Sequence, residues 1–338
     1  MSSVAAIVAD VRARRDEALR QWSLRLDGVE PARAEPGPGL PDEAVLALAD
    51  RVRRWHEAQR PADVRLQVEP GVELERRWVP LESVGVYVPR GLVSTLVMCA
   101  VPAQAAGVGR IAVVTPPSGA GLVAAAAALL GVEEIWAVGG AQAIAALAYG
   151  TETIEPVDKI VGPGSAFVNE AKLLVSRDVA IDLPAGPSEV VVVLGRGGDR
   201  RLAELELAAQ AEHGPESVCA IVDGEDLDAA LAEVERRAPE HVVLLGEAET
   251  LAPRIRNAGA IFVGASSPVP TGDLGTGGNH VLPTGGWARA VGGLGLETFL
   301  KPVTVQRLTA AGLALVRPTV EALAAVEGLP AHAAAVAR

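Results

Sequence analysis

The chain has 338 residues, 49% of them hydrophobic, with 30 Lys and Arg against 42 Asp and Glu for a formal net charge of −12. At roughly 150 residues per domain this length predicts about two domains, and the apolar fraction supplies more than one core. The acidic balance argues against a nucleic-acid backbone or an anionic membrane surface as partner, since both are held through positive protein surface.

In chain order, Val4, Ile7, Val8, Val11, Leu19, Trp22 and Leu26 fall on one helical face across residues 3–27. Glu30 to Pro41 holds four prolines and two glycines and reads as a linker. Residues 42–58 resume a helical pattern; Arg51, Arg53 and Arg54 read as its solvated face, and His56, beside Trp55, as a surface histidine. The charged, amphipathic N-terminus lacks a signal-peptide pattern, so a cytoplasmic protein is expected.

From Val84, short apolar runs alternate with Ala-rich helical stretches. Strands are expected at Val84–Val88, Arg110–Thr115, Glu134–Val138, Lys159–Val161 and Ala180–Asp182, with helices at Pro102–Ala106, Leu122–Leu130 and Ala141–Tyr149. Pro116-Pro117 and several glycines break the apolar stretch Ile111–Val132, so it does not read as a membrane span. A second series has strands at Glu189–Leu194, Val218–Val222, His241–Leu245 and Ala260–Val263, and helices at Asp199–Glu212, Leu227–Arg237 and Thr250–Asn257. Residues 264–287 read as a long loop, the kind that is often functional. Alternation of this kind predicts an α/β fold: two Rossmann-like parallel α/β domains, 84–187 and 188–298, with a helical arm over 1–83 packed on the second domain and a mostly helical tail over 299–338. Cys99 and Cys219 sit in apolar runs and read as buried small hydrophobes.

Only five histidines are present: His56, His213, His241, His280 and His332. Gln210 and His213, three apart at a helix end, can converge on one point and offer an amide oxygen and an imidazole to a metal, although such a pair is more often capping. Glu240 and His241 are adjacent and suit acid–base work, but they precede their strand, whereas sites in open α/β sheets usually follow the strands. The glycine-rich segment 271–280 carries Asp273 and His280. No GxGxxG pattern opens a helix after a strand; Gly139-Gly140-Ala141-Gln142 and Gly162-Pro163-Gly164-Ser165 are glycine turns able to admit a phosphate or a ribose.

Taken together, GVYVP at 85–89, VGGAQAIAALAYGTE at 138–152, VDKIVGPGSAFVNEAK at 157–172, DLPAGPSEV at 182–190, QAEHGPES at 210–217, PEH at 239–241, GGNHVLPT at 277–284 and EGLPAH at 327–332 strongly resemble the histidinol dehydrogenase family. The resemblance runs from about Val84 to the C-terminus and more loosely through the N-terminal helices. It implies a four-electron, NAD-linked oxidation of L-histidinol to L-histidine through the aldehyde. One Zn2+ per subunit is expected on Gln210, His213, Asp273 and His332, the last from the tail of a neighbouring subunit in a homodimer. Glu240 and His241 match the acid–base pair, and Ser188, His280 and Glu327 match substrate contacts, joined by the metal ligands. Tyr87 and Gln142 match contacts to NAD, with Ser165 where the family has an asparagine. Two further departures are Pro89-Arg90-Gly91 in place of a PGG turn, with a shortened loop before Met98, and a shortened stretch between Val222 and Pro239. Two alternatives stay open: a paralogue oxidising another small polar alcohol with the same zinc and NAD, and a catalytically silent metal-binding relative. The metal half-site alone would also suit a zinc hydrolase, which the cofactor-side motifs disfavour.

Overall fold

The computed structural model describes residues 3–184 and 186–337. The helices α1 (Val4–Arg14) and α2 (Asp16–Leu26) meet at Arg15, whose φ of 53° breaks the run. The short strand β1 (Ala32–Arg33) and α3 (Asp42–Glu57) follow, then the strands β2 (Val64–Glu69) and β3 (Val72–Pro80). The first α/β series is β4 (Ser83–Tyr87), α4 (Val93–Ala106), β5 (Arg110–Thr115), α5 (Ala120–Leu129), β6 (Glu134–Ala137), α6 (Gly140–Tyr149), β7 (Lys159–Val161), α7 (Ala166–Val175) and β8 (Ala180–Ile181). The second is β9 (Glu189–Gly195), α8 (Arg200–Ala211), β10 (Val218–Gly224), α9 (Leu227–Arg237), β11 (His241–Leu245), β12 (Ala260–Val263) and the short α10 (Val269–Leu274). The chain closes with β13 (Leu300–Leu308), α11 (Ala310–Glu327) and α12 (Pro330–Val336).

These elements form two compact units, residues 3–60 with 81–299, and residues 61–80 with 300–337. In the larger unit the first sheet has the order β1-β6-β5-β4-β7-β8, parallel except for β1. The strand order reverses between β4 and β7, and a crevice for ligands is expected outside their carboxyl ends. The N-terminal helices were expected on the second α/β domain. They pack instead on the first sheet: Val4, Ile7, Val8, Val11, Ala18 and Leu19 share one core with Val114, Trp136, Ile144 and Leu147. Burying this apolar stripe against α6 is what fixes the arm in place.

The second sheet, β10-β9-β11-β12, is wholly parallel. Its order also reverses, between β9 and β11, yet the carboxyl end there is closed by backbone. Past β11, a Cβ on Gly195 would stand 2.4 Å from Ala248 N, and one on Gly246 would stand 2.4 Å from Gly198 N. The amino end is left to carry chemistry.

The smaller unit corrects the reading of residues 1–83 as helical throughout. Residues 64–80 form an antiparallel hairpin, and β13 pairs with β3 to give the order β13-β3-β2. The tail therefore begins as a strand and only then turns helical. Val64, Leu66 and Val68 alternate with Arg65, Gln67 and Glu69, which is strand periodicity, and Gly71 at φ +77° makes the turn. Two smaller corrections concern the larger unit. The helix expected at 250–257 is a 3-10 stretch, Gly246–Arg254, with Pro253 inside it. His56 is fully enclosed rather than on the surface. Among the described residues no helix is long and apolar enough to cross a membrane.

Candidate active site

The amino ends of β9 and β11 lie side by side, His241 opposite Val190. Ser188 immediately precedes β9, and Glu240 immediately precedes β11. The Ser188 hydroxyl donates to Glu240 Oε2 at 2.6 Å, the Glu189 N–H donates to the same oxygen at 2.8 Å, and Gln210 Nε2 donates to Ser188 Oγ at 2.6 Å. Glu240 is 7% exposed. Burial pushes its carboxyl up to about 7, against the Ser188 and Glu189 hydrogen bonds, which favour the charged form. An acid with that affinity for a proton exchanges it at neutral pH.

His241 is held in one tautomer. Its Nδ1 lies 3.0 Å from Glu189 O, a carbonyl that only accepts, so Nδ1 carries the hydrogen. Nε2 is then a bare acceptor; it is buried without a hydrogen-bond partner and lies 3.9 Å from Asp273 Oδ1. Burial lowers the imidazole's affinity for a proton, with the Asp273 carboxylate opposing. The Phe262 ring, centroid 5.8 Å away, covers one side. The outcome is a neutral imidazole with a free lone pair, the form a general base requires.

Gln210 sits in the last turn of α8, which Asp199 caps through the Arg201 N–H. Its Oε1 is buried with no partner. His213 follows the helix and is exposed. Asp273 is on α10, whose first N–H, from Val269, donates to Glu206 Oε2 at 3.0 Å. Glu206 is on α8, so one buried carboxylate ties together the two helices that carry Gln210 and Asp273. The charge of Asp273 raises the carboxyls of both Glu206 and Glu240, which burial already raises further. His280 Nδ1 lies 3.0 Å from Asp273 O and its Nε2 3.4 Å from Thr95 Oγ1.

Ser188, Gln210, His213, Glu240, His241, Asp273 and His280 are thus gathered around one amino-terminal sheet edge. Among the described residues no three His, Cys, Asp or Glu side chains are spaced to hold a metal ion. The donor set nonetheless suits a divalent cation: an orphaned amide oxygen, an imidazole, and carboxylates whose mutual repulsion a cation would relieve. Glu327 and His332 are not part of this cluster. They lie in the smaller unit, at the end of α11 and on α12, both exposed.

On the first sheet, Tyr87 ends β4 and its hydroxyl accepts from Gly140 N–H at 3.3 Å. Gln142 is fully enclosed; its Nε2 donates to Asp27 Oδ2 at 3.1 Å and its Oε1 has no partner. Ser165 is the exposed N-cap residue of α7 and makes no side-chain capping bond. The Gly162 turn between them is held by a buried pair. Lys172 Nζ donates to Gly162 O at 2.9 Å and to Asp182 Oδ1, while Asp182 Oδ2 accepts from Gly162 N–H at 2.7 Å. Gly162, at φ +108°, lies against Tyr87 O, where no Cβ fits. Tyr87 and Ser165 therefore lie beyond the carboxyl ends of β4 and β7, while Gln142 lies on the β6 side. The exposed Ser165 hydroxyl is open to the polar groups of a nucleotide, while the Gln142 oxygen is enclosed behind Tyr87 and Gly140.

Sequence reasoning passed over Asp27, Glu206 and the Lys172–Asp182 pair, and read the enclosed His56 as a surface residue. Lys172 and Asp182 fall inside quoted motifs, so a signal was present; Asp27 and Glu206 are ordinary acidic residues on helical segments, and only the fold gives them partners.

Comparison with known proteins gives a coherent result. The sequence pattern of the histidinol dehydrogenase family matches residues 1–226 and 219–338, two stretches that overlap on β10. The chain is 41% identical to histidinol dehydrogenase of Methanothermobacter thermautotrophicus over 98% of its own length and 92% of the relative's. It is 43% identical to that of Caulobacter vibrioides, covering 98% and 90%. These alignments span 392 and 387 positions, more than the chain's 338 residues, so the relatives carry segments that it lacks. The crystal structure of histidinol dehydrogenase from Elizabethkingia anophelis superposes with a TM-score of 0.90 at 31% identity, covering 98% of this chain and 90% of that one.

Proposed function

The chain belongs to the histidinol dehydrogenase family, and from that premise we propose that it oxidises L-histidinol to L-histidine through L-histidinal in histidine biosynthesis, reducing two NAD in turn. The observation that carries this reading is the hydrogen-bonded line Gln210–Ser188–Glu240 beside a neutral His241 with a free Nε2.

In this reading His241 Nε2 takes the hydroxyl proton as histidinol becomes the aldehyde. Ionised Glu240 accepts a proton from water as the aldehyde hydrates, and His241, its first proton released to solvent, takes the hydroxyl proton of the hydrate as that is oxidised. Ser188 keeps the Glu240 carboxylate aimed. His280, and Glu327 from the tail of a second subunit, read the polar ends of substrate and product. Bound NAD would accept a hydride at each oxidation, held by Tyr87, Gln142 and Ser165. Bound Zn2+ would fix the substrate's nitrogen donors, held by Gln210, His213 and Asp273 together with His332 from a second subunit.

The homodimer with exchanged tails belongs to the same reading. Along α11, Leu315, Leu323 and Val326 are 51%, 57% and 87% exposed. Apolar surface of that kind is what a second subunit would cover. A cytoplasmic location, without nucleic-acid or membrane partners, accords with the net charge of −12.

The test is NADH formation by the purified, zinc-loaded protein with histidinol. Two NADH per histidinol, with histidine as product, is the expected result. Reduction with other polar alcohols alone would make the chain a paralogue. No reduction despite bound zinc would make it a silent metal-binding relative.

A further inference from the structure

The C-terminal half of α3 lies along the segment that carries His280. Arg51 Nη1 donates to Gly275 O at 3.1 Å, and Gly277, at φ +89°, is pressed against the Arg51 backbone so closely that no side chain fits there. One turn later comes His56, fully enclosed. Its Nδ1 lies 2.7 Å from Val52 O, so Nδ1 carries the hydrogen and Nε2 holds a lone pair. That lone pair faces Asn279 Nδ2 at 3.2 Å.

The orientation of the Asn279 amide is settled by its other contacts. Nδ2 also donates to Met98 O at 2.7 Å, and Oδ1 accepts from Val281 N–H at 2.9 Å. A flipped amide would set oxygen against the Met98 oxygen and nitrogen against the Val281 N–H. His56 therefore receives one of the two Asn279 hydrogens, and Met98 receives the other. The backbone on both sides of His280 is thereby fixed by a single side chain, and the imidazole of His280 is left to span from Asp273 O to Thr95.

We propose that His56, in its neutral Nδ1–H form, is a positioning residue for substrate binding: it holds Asn279, and through Asn279 it aims His280. The proposal rests on the reading of His280 as a substrate contact. His56 itself touches no reacting atom. It supplies a buried acceptor at one point, and burial keeps it neutral, outweighing the Val52 and Leu294 carbonyls and the Glu297 carboxylate that favour the charged form.

The test compares wild type with His56→Leu, which fills the space but accepts no hydrogen bond, and with His56→Gln, whose Oε1 reaches the place of Nε2. Steady-state kinetics give KM for histidinol and for NAD separately, and hydrogen exchange is followed across residues 277–284. His56→Leu is expected to raise KM for histidinol by about tenfold or more, as a misaimed contact does, with KM for NAD within about twofold. Exchange at 277–284 should speed up, and His56→Gln should restore both readouts. Should His56→Leu fail to fold, Asn279→Ser removes the same link and is expected to give the same pattern. Unchanged histidinol KM and unchanged exchange in these variants would overturn the proposal; a purely structural role would lower melting temperature and active fraction alone. Wild-type protein that bound zinc and NAD but did not oxidise histidinol would refute the proposed function instead. The exchange measurement would still decide whether His56 orders the His280 segment.

Discussion

Ser188 stands between two groups of opposite need: its hydroxyl hydrogen goes to Glu240 Oε2 at 2.6 Å, and its oxygen receives a hydrogen from Gln210 Nε2, also at 2.6 Å. The carboxyl that exchanges a proton is thereby connected to the amide whose oxygen is left free.

Glu240→Gln is expected to lower histidinol oxidation by about 10²-fold or more, the usual weight of a general acid–base group, while making the metal-free protein more stable at pH 8. The sign follows from the upward shift. The Glu240 carboxyl titrates at about 7 in the fold against 4.5 ordinarily, so the stability contributed by its protonated form is complete below pH 4.5 and is lost as pH rises toward 7. Above that the buried charge costs up to about 3 kcal/mol, at 1.36 kcal/mol per unit. Thermal unfolding at pH 8 and pH 4 measures this: the variant should melt higher than wild type at pH 8 and lose that advantage at pH 4.

Glu206→Ala should weaken zinc binding without touching a ligand. Glu206 caps α10 from α8, and loss of the groups that orient ligands typically costs about 10- to 100-fold in metal affinity. Competition with a chromogenic chelator reads the affinity directly. Glu206→Gln, which can still accept the Val269 N–H, should fall between the two. Wild-type affinity in the alanine variant would rule out the tie.

The Lys172–Asp182 pair is buried on both sides, with side chains each 2% exposed. Asp182→Asn leaves a buried ammonium without its counter-charge, an effect worth about 3–5 kcal/mol, and removes an acceptor of the Gly162 N–H. A large fall in melting temperature is expected, together with weaker NAD binding by calorimetry in whatever fraction folds. A Lys172→Met, Asp182→Asn double variant should recover much of the stability.

Burial lowers the proton affinity of His56 below the ordinary 6.5. A depressed histidine contributes stability that is complete above pH 6.5 and is lost as pH falls through its folded value, because the unfolded chain takes up a proton first. The melting temperature of wild type should therefore drop more steeply than that of His56→Gln between pH 7 and pH 5. Parallel curves would show that His56 does not titrate as its surroundings require.

The parallel strands of both sheets were legible in the sequence because runs such as Glu189–Leu194 and His241–Leu245 are short, β-rich and bounded by turns. The hairpin at 64–80 was not, although Val64, Leu66 and Val68 alternate cleanly; its partner β13 lies more than two hundred residues away, and long-range pairing leaves no local mark. His56 was read as exposed because it neighbours Trp55, itself 55% exposed; adjacent helical residues point in directions about 100° apart. In the site, the adjacency of Glu240 and His241 was plain, and so was their odd placement ahead of a strand. The reason for that placement was hidden, because it lies in glycine-to-glycine contact at the opposite end of the sheet.

That contact gives the second sheet a working end and a spare end. The two stretches of the family pattern meet on β10, whose exit through Gly224 to α9 belongs to the spare end. Sequence lost there is lost away from Ser188, Glu240 and His241, which allows a shorter chain to keep those three side chains in place. The same exit is a natural place to insert a reporter or a tether: the length of the protein can change at one edge while its chemistry is held at the other.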